Sequence, residues 1–203
     1  MEIVRKVWRA TRWPLGVLVL LYIGLVIYRV PAMFEKDKTA QVVARIHSQK
    51  INLADVQGTA LPPPPNEQEN NATVAGLDKN NNGIRDDVEL AIFAKYPNSA
   101  RVRAAELQYA MALQMYFEVT NSETWVAAAQ EDSRAYACIG QTYPRTDLVK
   151  ASEILDVRTK EVESLVFNTT SRREAEKNAA HFTTSYALPN TDLCNVDLNT
   201  LPN

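Results

Sequence analysis

The feature that most constrains this chain is a long apolar segment near its N-terminus, Trp13–Val30, in which Arg29 is the only charged residue. Extended as a helix to Phe34 it has 22 residues. At 1.5 Å per residue this gives about 33 Å, enough to cross the hydrocarbon core of a bilayer. Trp13 and Tyr28 lie where interfacial aromatic side chains are common. We therefore predict that residues 13–34 form a transmembrane anchor, with the lipid bilayer as its partner.

The distribution of charge predicts the orientation of this anchor. Residues 1–12 carry four basic side chains and one acidic side chain, which gives them a net charge of +3. Because the net charge of the whole chain is −2, the remainder has a net charge of −5. Positive charge on the cytoplasmic side of a membrane helix predicts a cytoplasmic segment 1–12. Residues 35–203 then lie outside the cytoplasm, which for a bacterial inner membrane is the periplasm. An acidic domain without a basic patch also argues against nucleic-acid binding.

A cleaved signal peptide is the alternative interpretation of the same segment. Val30-Pro31-Ala32 places small residues at the −3 and −1 positions of a cleavage site, and cleavage there leaves Met33 as the first residue. Arg29 beside the site and Pro31 within it disfavour cleavage. We expect the anchor to be retained.

A membrane-proximal segment, residues 35–76, follows the anchor. Within it Lys50–Val56 alternates apolar and polar residues, which predicts a short strand. Pro62–Pro65 cannot donate backbone hydrogen bonds and predicts a stiff polyproline stretch of about 12 Å. We interpret that stretch as a spacer rather than as a ligand for an SH3-type domain.

Residues 77–189 have the periodicity of a helical domain. Apolar residues at three- and four-residue spacing predict helices over about 86–96, 99–119, 122–140 and 147–167, and a last one from the capping box at Ser171 to just before Pro189. The tail, residues 190–203, is predicted to be coil. The expected fold is mainly α: an N-terminal single transmembrane helix, then a small extracytoplasmic helical bundle with one EF-hand-like calcium loop.

That loop is the segment Asp78–Glu89, with the sequence DKNNNGIRDDVE. A calcium ion needs several oxygen atoms that converge at about 2.3–2.6 Å, and alternate positions of a tight twelve-residue loop supply them. Gly83 stands where such a loop turns sharply. The segment resembles EF-hand loops and, more closely, thrombospondin type 3-like calcium modules. The resemblance implies Ca²⁺ ligands from Asp78, Asn80, Asn82, the Ile84 carbonyl, Asp86 and Glu89.

The loop departs from an EF-hand in three ways. The apolar residue, Ile84, is at position 7, and Arg85 occupies position 8. Residues 70–76, NNATVAG, predict no entering helix, and the chain has no second loop to pair with this one. We therefore expect a structural ion with an affinity on the order of 10⁻⁴–10⁻³ M, as in extracellular modules. The alternative is a metal-free turn that caps a helix.

Two cysteines, Cys138 and Cys194, lie in the part predicted to be exported. An even number of cysteines in an oxidising compartment favours a disulfide. Two unrelated buried thiols are the alternative.

Function is only weakly indicated, because the chain has no zinc-type His/Cys spacing, no nucleophile elbow and no phosphate loop. We interpret it as a non-enzymatic structural or protein-interaction component of the envelope with a protein partner. One alternative is an enzyme that acts on cell-wall polymer through a glutamate such as Glu106, Glu118 or Glu123. Another is a small accessory subunit of a membrane complex, packed through Gly16 and Gly24.

Overall fold

The computed structural model describes residues 2–188 and 191–202, and within them the chain is mainly helical and contains no strand. The chain forms two compact units, Met1–Gln41 and Val42–Asn203. The α-helices are α1 Glu2–Ser48, α2 Leu53–Gln57, α3 Glu67–Asn70, α4 Asp86–Lys95, α5 Ala100–Gln114, α6 Ser122–Ile139, α7 Leu148–Val166 and α8 Thr170–Ala180. Short 3₁₀ helices are Met115–Glu118 and Leu198–Thr200.

The first unit consists of the N-terminal part of α1. From Trp13 onward this helix is long and apolar enough to cross a membrane, and its apolar side chains between residues 13 and 30 are exposed. This confirms the prediction of one apolar helix near the N-terminus that contains residues 13–34. Exposed apolar surface of this extent is typical of a helix whose solvent is lipid.

The second unit is a helical bundle built around α5. This helix packs most extensively against α6 and then α7, with α2 and α4 as further neighbours. Its contact surfaces are rich in alanine, and Ala104 and Ala105 of α5, like Ala127 and Ala128 of α6, are almost completely buried. Small side chains let helix axes approach closely, so the alanine pattern explains the tight packing. The predicted bundle is confirmed.

The predicted strand over Lys50–Val56 is wrong, since residues 50–52 are irregular and the helix α2 begins at Leu53. Asn52 caps the helix: its Oδ1 accepts the N–H of Ala54 at 2.8 Å, and the Asp55 carboxylate accepts the N–H of Asn52 at 2.7 Å. Gly58, with φ of +71°, ends it. A reciprocal cap stabilises one helical turn, which outweighs the alternation of so short a segment.

The last helix is shorter than predicted. Its N-cap is Thr169 rather than Ser171, because the Thr169 side chain accepts the N–H of Arg172 at 3.3 Å. It ends at Ala180, and residues 181–188 are not helical, so the predicted extension is wrong. The ends of the predicted segments 1–12, 77–189 and 190–203 fall on positions outside the described residues, namely Met1, Pro189, Asn190 and Asn203.

The C-terminal tail is held to α6. Cys138 and Cys194 form a disulfide with a Cα–Cα distance of 5.1 Å, which confirms the predicted pair. Beside it, Nε and Nη2 of Arg134 donate to the carbonyl of Asp192 at 2.9 and 2.8 Å. The tail is not only coil, because it includes the 3₁₀ turn at Leu198, whose side chain is buried.

Candidate metal site

The loop between Asp78 and Glu89 is shaped by two residues with positive φ, Asn81 at +55° and Gly83 at +84°. These two turns bring the chain back around the Asp78 carboxylate. Its Oδ1 accepts the N–H of Asn82 at 3.2 Å, and its Oδ2 accepts the N–H of Gly83 at 2.8 Å. The first predicted ligand therefore organises the tight part of the loop.

The two ends of the loop are held together by Asp86, the first residue of α4. Its N–H donates to the carbonyl of Leu77 at 2.8 Å, and its Oδ1 accepts the N–H of Lys79 at 2.9 Å. Ile84 lies between the two halves with its side chain fully buried in the core and its N–H bonded to Asn82 Oδ1 at 2.9 Å. The loop is thus closed, and one side of it is anchored in the bundle.

Glu89, in the first turn of α4, contacts the asparagines of the loop. The Asn80 amide donates to its Oε2 and the Asn82 amide to its Oε1, both at 3.0 Å. The side chain is buried, with 1% of its surface exposed. The structure therefore brings together three of the predicted ligands, Asn80, Asn82 and Glu89.

Two oxygen atoms in this loop are buried and accept no hydrogen bond, Asp86 Oδ2 and Asn80 Oδ1. Asp86 is completely buried. Leaving a carboxylate oxygen unpaired inside a protein costs several kcal/mol, because the charged group loses its water and gains no donor, and buried polar atoms are nearly always satisfied. Both atoms are oxygens, the ligand type that calcium requires, so the residues present fit a hard cation.

The electrostatics of the loop favour a cation for the same reason. Burial raises the pKa of Glu89 to about 7, although the hydrogen bonds from the two asparagines oppose the rise. The nearby carboxylates of Asp55 and Asp78 raise the pKa further. Burial also raises the pKa of Asp78, although backbone N–H groups of Gly83, Asn82 and Asn81 oppose the rise. The charged form of both carboxylates is therefore destabilised, and a bound cation would stabilise it.

The structure does not bring the carboxylates of Asp78, Asp86 and Glu89 together. Among the described residues no group of three His, Cys, Asp or Glu side chains is placed to hold a metal ion. The amide NH₂ groups of Asn80 and Asn82 face Glu89, whereas a cation requires their oxygens there. A half-turn of each amide brings its oxygen to that side, because the two ends have nearly the same shape. It costs the bond from the Ile84 N–H to Asn82 Oδ1 and the bond from the Asn80 amide to the Ala60 carbonyl, which the ion has to outweigh.

A buried arginine, Arg85, supports the loop, and its role was not predicted. Arg85 is 1% exposed and donates to the carbonyls of Val166 at 3.0 Å and Leu165 at 2.6 Å, at the C-terminal end of α7. It also pairs with Asp87, whose pKa is lowered because the bonds and charge of Arg85 outweigh the opposing effect of burial. The arginine at position 8, seen in the sequence as a departure from the EF-hand, was the available signal.

No protein-family model, no curated protein sequence and no solved structure matches this chain.

Proposed function

We propose that this protein is a calcium-stabilised helical module anchored in a bacterial inner membrane, with its folded unit in the periplasm, where it serves as a structural or protein-interaction component of the envelope. The observation that carries the calcium assignment is the unpaired Oδ2 of the fully buried Asp86, within a loop that has an oxygen ligand at every required position. The apolar helix from Trp13 supports the anchor.

The proposed ion binds where the loop meets α4. Asp78, Asp86 and Glu89 supply three negative charges, and rotated amides of Asn80 and Asn82 supply neutral oxygens. The ion replaces the two amide–carboxylate hydrogen bonds to Glu89 and satisfies the unpaired oxygens. Because Glu89 lies in the first turn of α4 and Ile84 lies in the core, binding stabilises the bundle.

The proposed calcium binding is tested by thermal unfolding of the full chain in a neutral detergent. At a calcium concentration about ten times the dissociation constant, linkage stabilises the folded state by about 1.4 kcal/mol and raises Tm by several degrees over excess chelator. Magnesium raises it less, because it keeps its waters and requires octahedral geometry.

Glu89→Gln removes one ligand charge at constant volume, and we expect it to abolish most of the calcium response. Glu153→Gln is the matched control, since Glu153 is exposed on α7, and it leaves the response unchanged. Equal Tm values in chelator and in millimolar calcium contradict the proposed ion and leave only a capping turn.

The location is tested with reporter fusions after residue 203. A reporter enzyme that is active only outside the cytoplasm should be active there, and one that is active only in the cytoplasm should be silent. The intact mass of the membrane form should correspond to an uncleaved chain. A mass that corresponds to a chain beginning at Met33 contradicts a retained anchor.

The proposed interaction with a protein partner is supported by the surface of α7, where Leu148, Val149 and Val157 are more than half exposed. Contiguous exposed apolar surface is typical of a contact site for another protein, and Val149 and Val157 lie on one side of α7, about two turns apart. A partner that co-purifies in mild detergent should be lost in the double variant Val149→Ser, Val157→Ser. It should be retained with Glu174→Ser, which changes an exposed polar residue of α8.

A further inference from the structure

A cavity of about 270 Å³ lies among α5, α6, α7 and α8 and is separate from the loop. Aromatic rings form much of its wall. Trp125 is held by an edge contact to Tyr186 with ring centroids 5.6 Å apart, and Phe167 by an edge contact to Phe117 at 5.8 Å. These contacts keep the rings in place, so the cavity has a defined shape.

Three carboxylates also line the cavity: Asp132 from α6, Glu163 from α7 and Glu176 from α8. No lysine, arginine or histidine is among the lining residues. Burial raises the pKa of Asp132 to about 6, although Tyr116 donates a hydrogen bond to it, and the charge of Glu163 raises it further. At pH 7 the cavity therefore concentrates negative charge with no basic side chain in its wall.

The remaining polar groups of the wall offer mainly acceptor atoms. The Tyr109 hydroxyl donates to Glu163 at 2.9 Å, and the Tyr116 hydroxyl donates to Asp132 at 3.0 Å. Thr183 Oγ1 donates to a backbone carbonyl of α8 at 2.7 Å. A hydroxyl that has donated its hydrogen presents only lone pairs. Apart from the indole N–H of Trp125, the side-chain groups of the cavity therefore suit a ligand that donates hydrogen bonds or carries positive charge.

We propose that this cavity binds an organic ammonium group, either of a free small molecule or of a lipid headgroup. Carboxylates balance the charge, and the faces of aromatic rings attract cations through their quadrupole. The volume is near the small end of ligand pockets, about 300–1,000 Å³, which suits a compact head rather than a large ligand. A bare metal ion fits less well, because much of the wall is aromatic.

The test uses calorimetric titration of the full chain in a sugar-based detergent, which carries no ammonium group. Choline is compared with 3,3-dimethylbutan-1-ol, which has the same shape but no charge. We expect choline to bind saturably and the neutral alcohol to bind at least about tenfold more weakly, since it lacks the ion pair. Equal affinities overturn the proposal, as does the absence of binding by choline, ethanolamine and both lipids below.

Short-chain phosphatidylcholine and phosphatidylglycerol distinguish the two sources of the ammonium group. Binding of free choline identifies a small molecule as sufficient, whereas binding of phosphatidylcholine alone identifies a headgroup. Binding of phosphatidylglycerol with equal affinity overturns the ammonium assignment, because its headgroup ends in an uncharged glycerol where phosphatidylcholine has the ammonium.

Two carboxylate variants test the site itself. Asp132→Asn and Glu163→Gln should each weaken ammonium binding by at least about tenfold. Glu174→Gln, an exposed position on α8 outside the cavity, should not change it. Unfolding midpoints establish that each variant is folded, and the use of two variants keeps the test valid if one of them is not. Unchanged binding in a folded variant of either carboxylate overturns the proposed site.

Discussion

Arg172 Nη2 donates to the backbone carbonyl of Asn70 at 2.6 Å and joins segments that are 102 residues apart. The Arg172 side chain is fully buried. Its Nε donates to the carbonyl of Val74 at 3.0 Å, and its Nη1 donates to the side chains of Asn71 at 3.0 Å and Asn168 at 2.7 Å. One guanidinium therefore fastens the chain entering the candidate metal loop to the start of α8.

Arg172→Lys should lower the free energy of unfolding by about 3 kcal/mol. An ammonium group cannot reproduce the planar set of donors, and carbonyls that lose their donor remain buried. The measurement is the urea midpoint of the full chain in detergent. Arg173→Lys is the control, since Arg173 is exposed and its side chain donates, among the described residues, only to the Phe167 carbonyl, at 3.0 Å. Equal losses in both variants contradict the fastening role.

Gly83→Ala should destabilise the protein by about 1–3 kcal/mol in excess chelator, because a φ of +84° is unfavourable for any residue with a Cβ. The added Cβ also meets Gln49 Nε2 at 1.7 Å. Gly140→Ala is the control, because φ there is −62° and the added Cβ meets the movable end of a side chain, Arg145 Nη2 at 2.7 Å. The change should be under about 1 kcal/mol.

Combining Gly83→Ala with Gln49→Ala separates the two causes. The double variant removes the contact and retains only the backbone cost. Full recovery of the urea midpoint in the double variant contradicts the role of the positive φ.

Loss of the disulfide should cost about 4 kcal/mol in the chain-entropy model, since the bonded cysteines are 56 residues apart. The double variant Cys138→Ala, Cys194→Ala should show this shift in the urea midpoint. Reductant should shift the wild-type chain similarly and leave the variant unchanged. Thiol titration of the denatured, unreduced protein should find no free cysteine, and two free thiols contradict the bond.

The sequence predicted those features whose contacts are local. The loop is one, since its longest internal hydrogen bond joins Asn80 to Glu89, nine residues apart. The strand predicted over Lys50–Val56 failed because the capping pair of Asn52 and Asp55 decides the conformation of so short a segment. The acidic cavity could not be predicted, because its carboxylates come from three helices and its Tyr109–Glu163 bond spans 54 residues. Only the packing of the bundle brings them together.

The cavity also predicts a pH dependence of stability. Burial raises the pKa of Asp132 to about 6 from an ordinary value of 3.8, with Tyr116 opposing the rise and Glu163 adding to it. Tyr109 and Glu176 are the other titratable groups of the cavity. Between about pH 4 and 6 the folded chain then binds more protons at Asp132 than the unfolded chain. Its contribution to stability therefore falls as pH rises through this window and is lowest above pH 6.

Asp132→Asn should remove this contribution, because the amide cannot ionise and still accepts the Tyr116 hydrogen bond. In excess chelator, the gain in unfolding free energy from pH 7.5 to pH 4.5 should be smaller in the variant than in the wild-type chain, by on the order of 2 kcal/mol. Groups that titrate in the same window and do not interact with Asp132 are common to both proteins and cancel in the difference. Asp156→Asn, at an exposed position of α7 paired with Lys160, should leave the wild-type pH dependence unchanged. Parallel stability curves for Asp132→Asn and the wild-type chain contradict a raised pKa at Asp132.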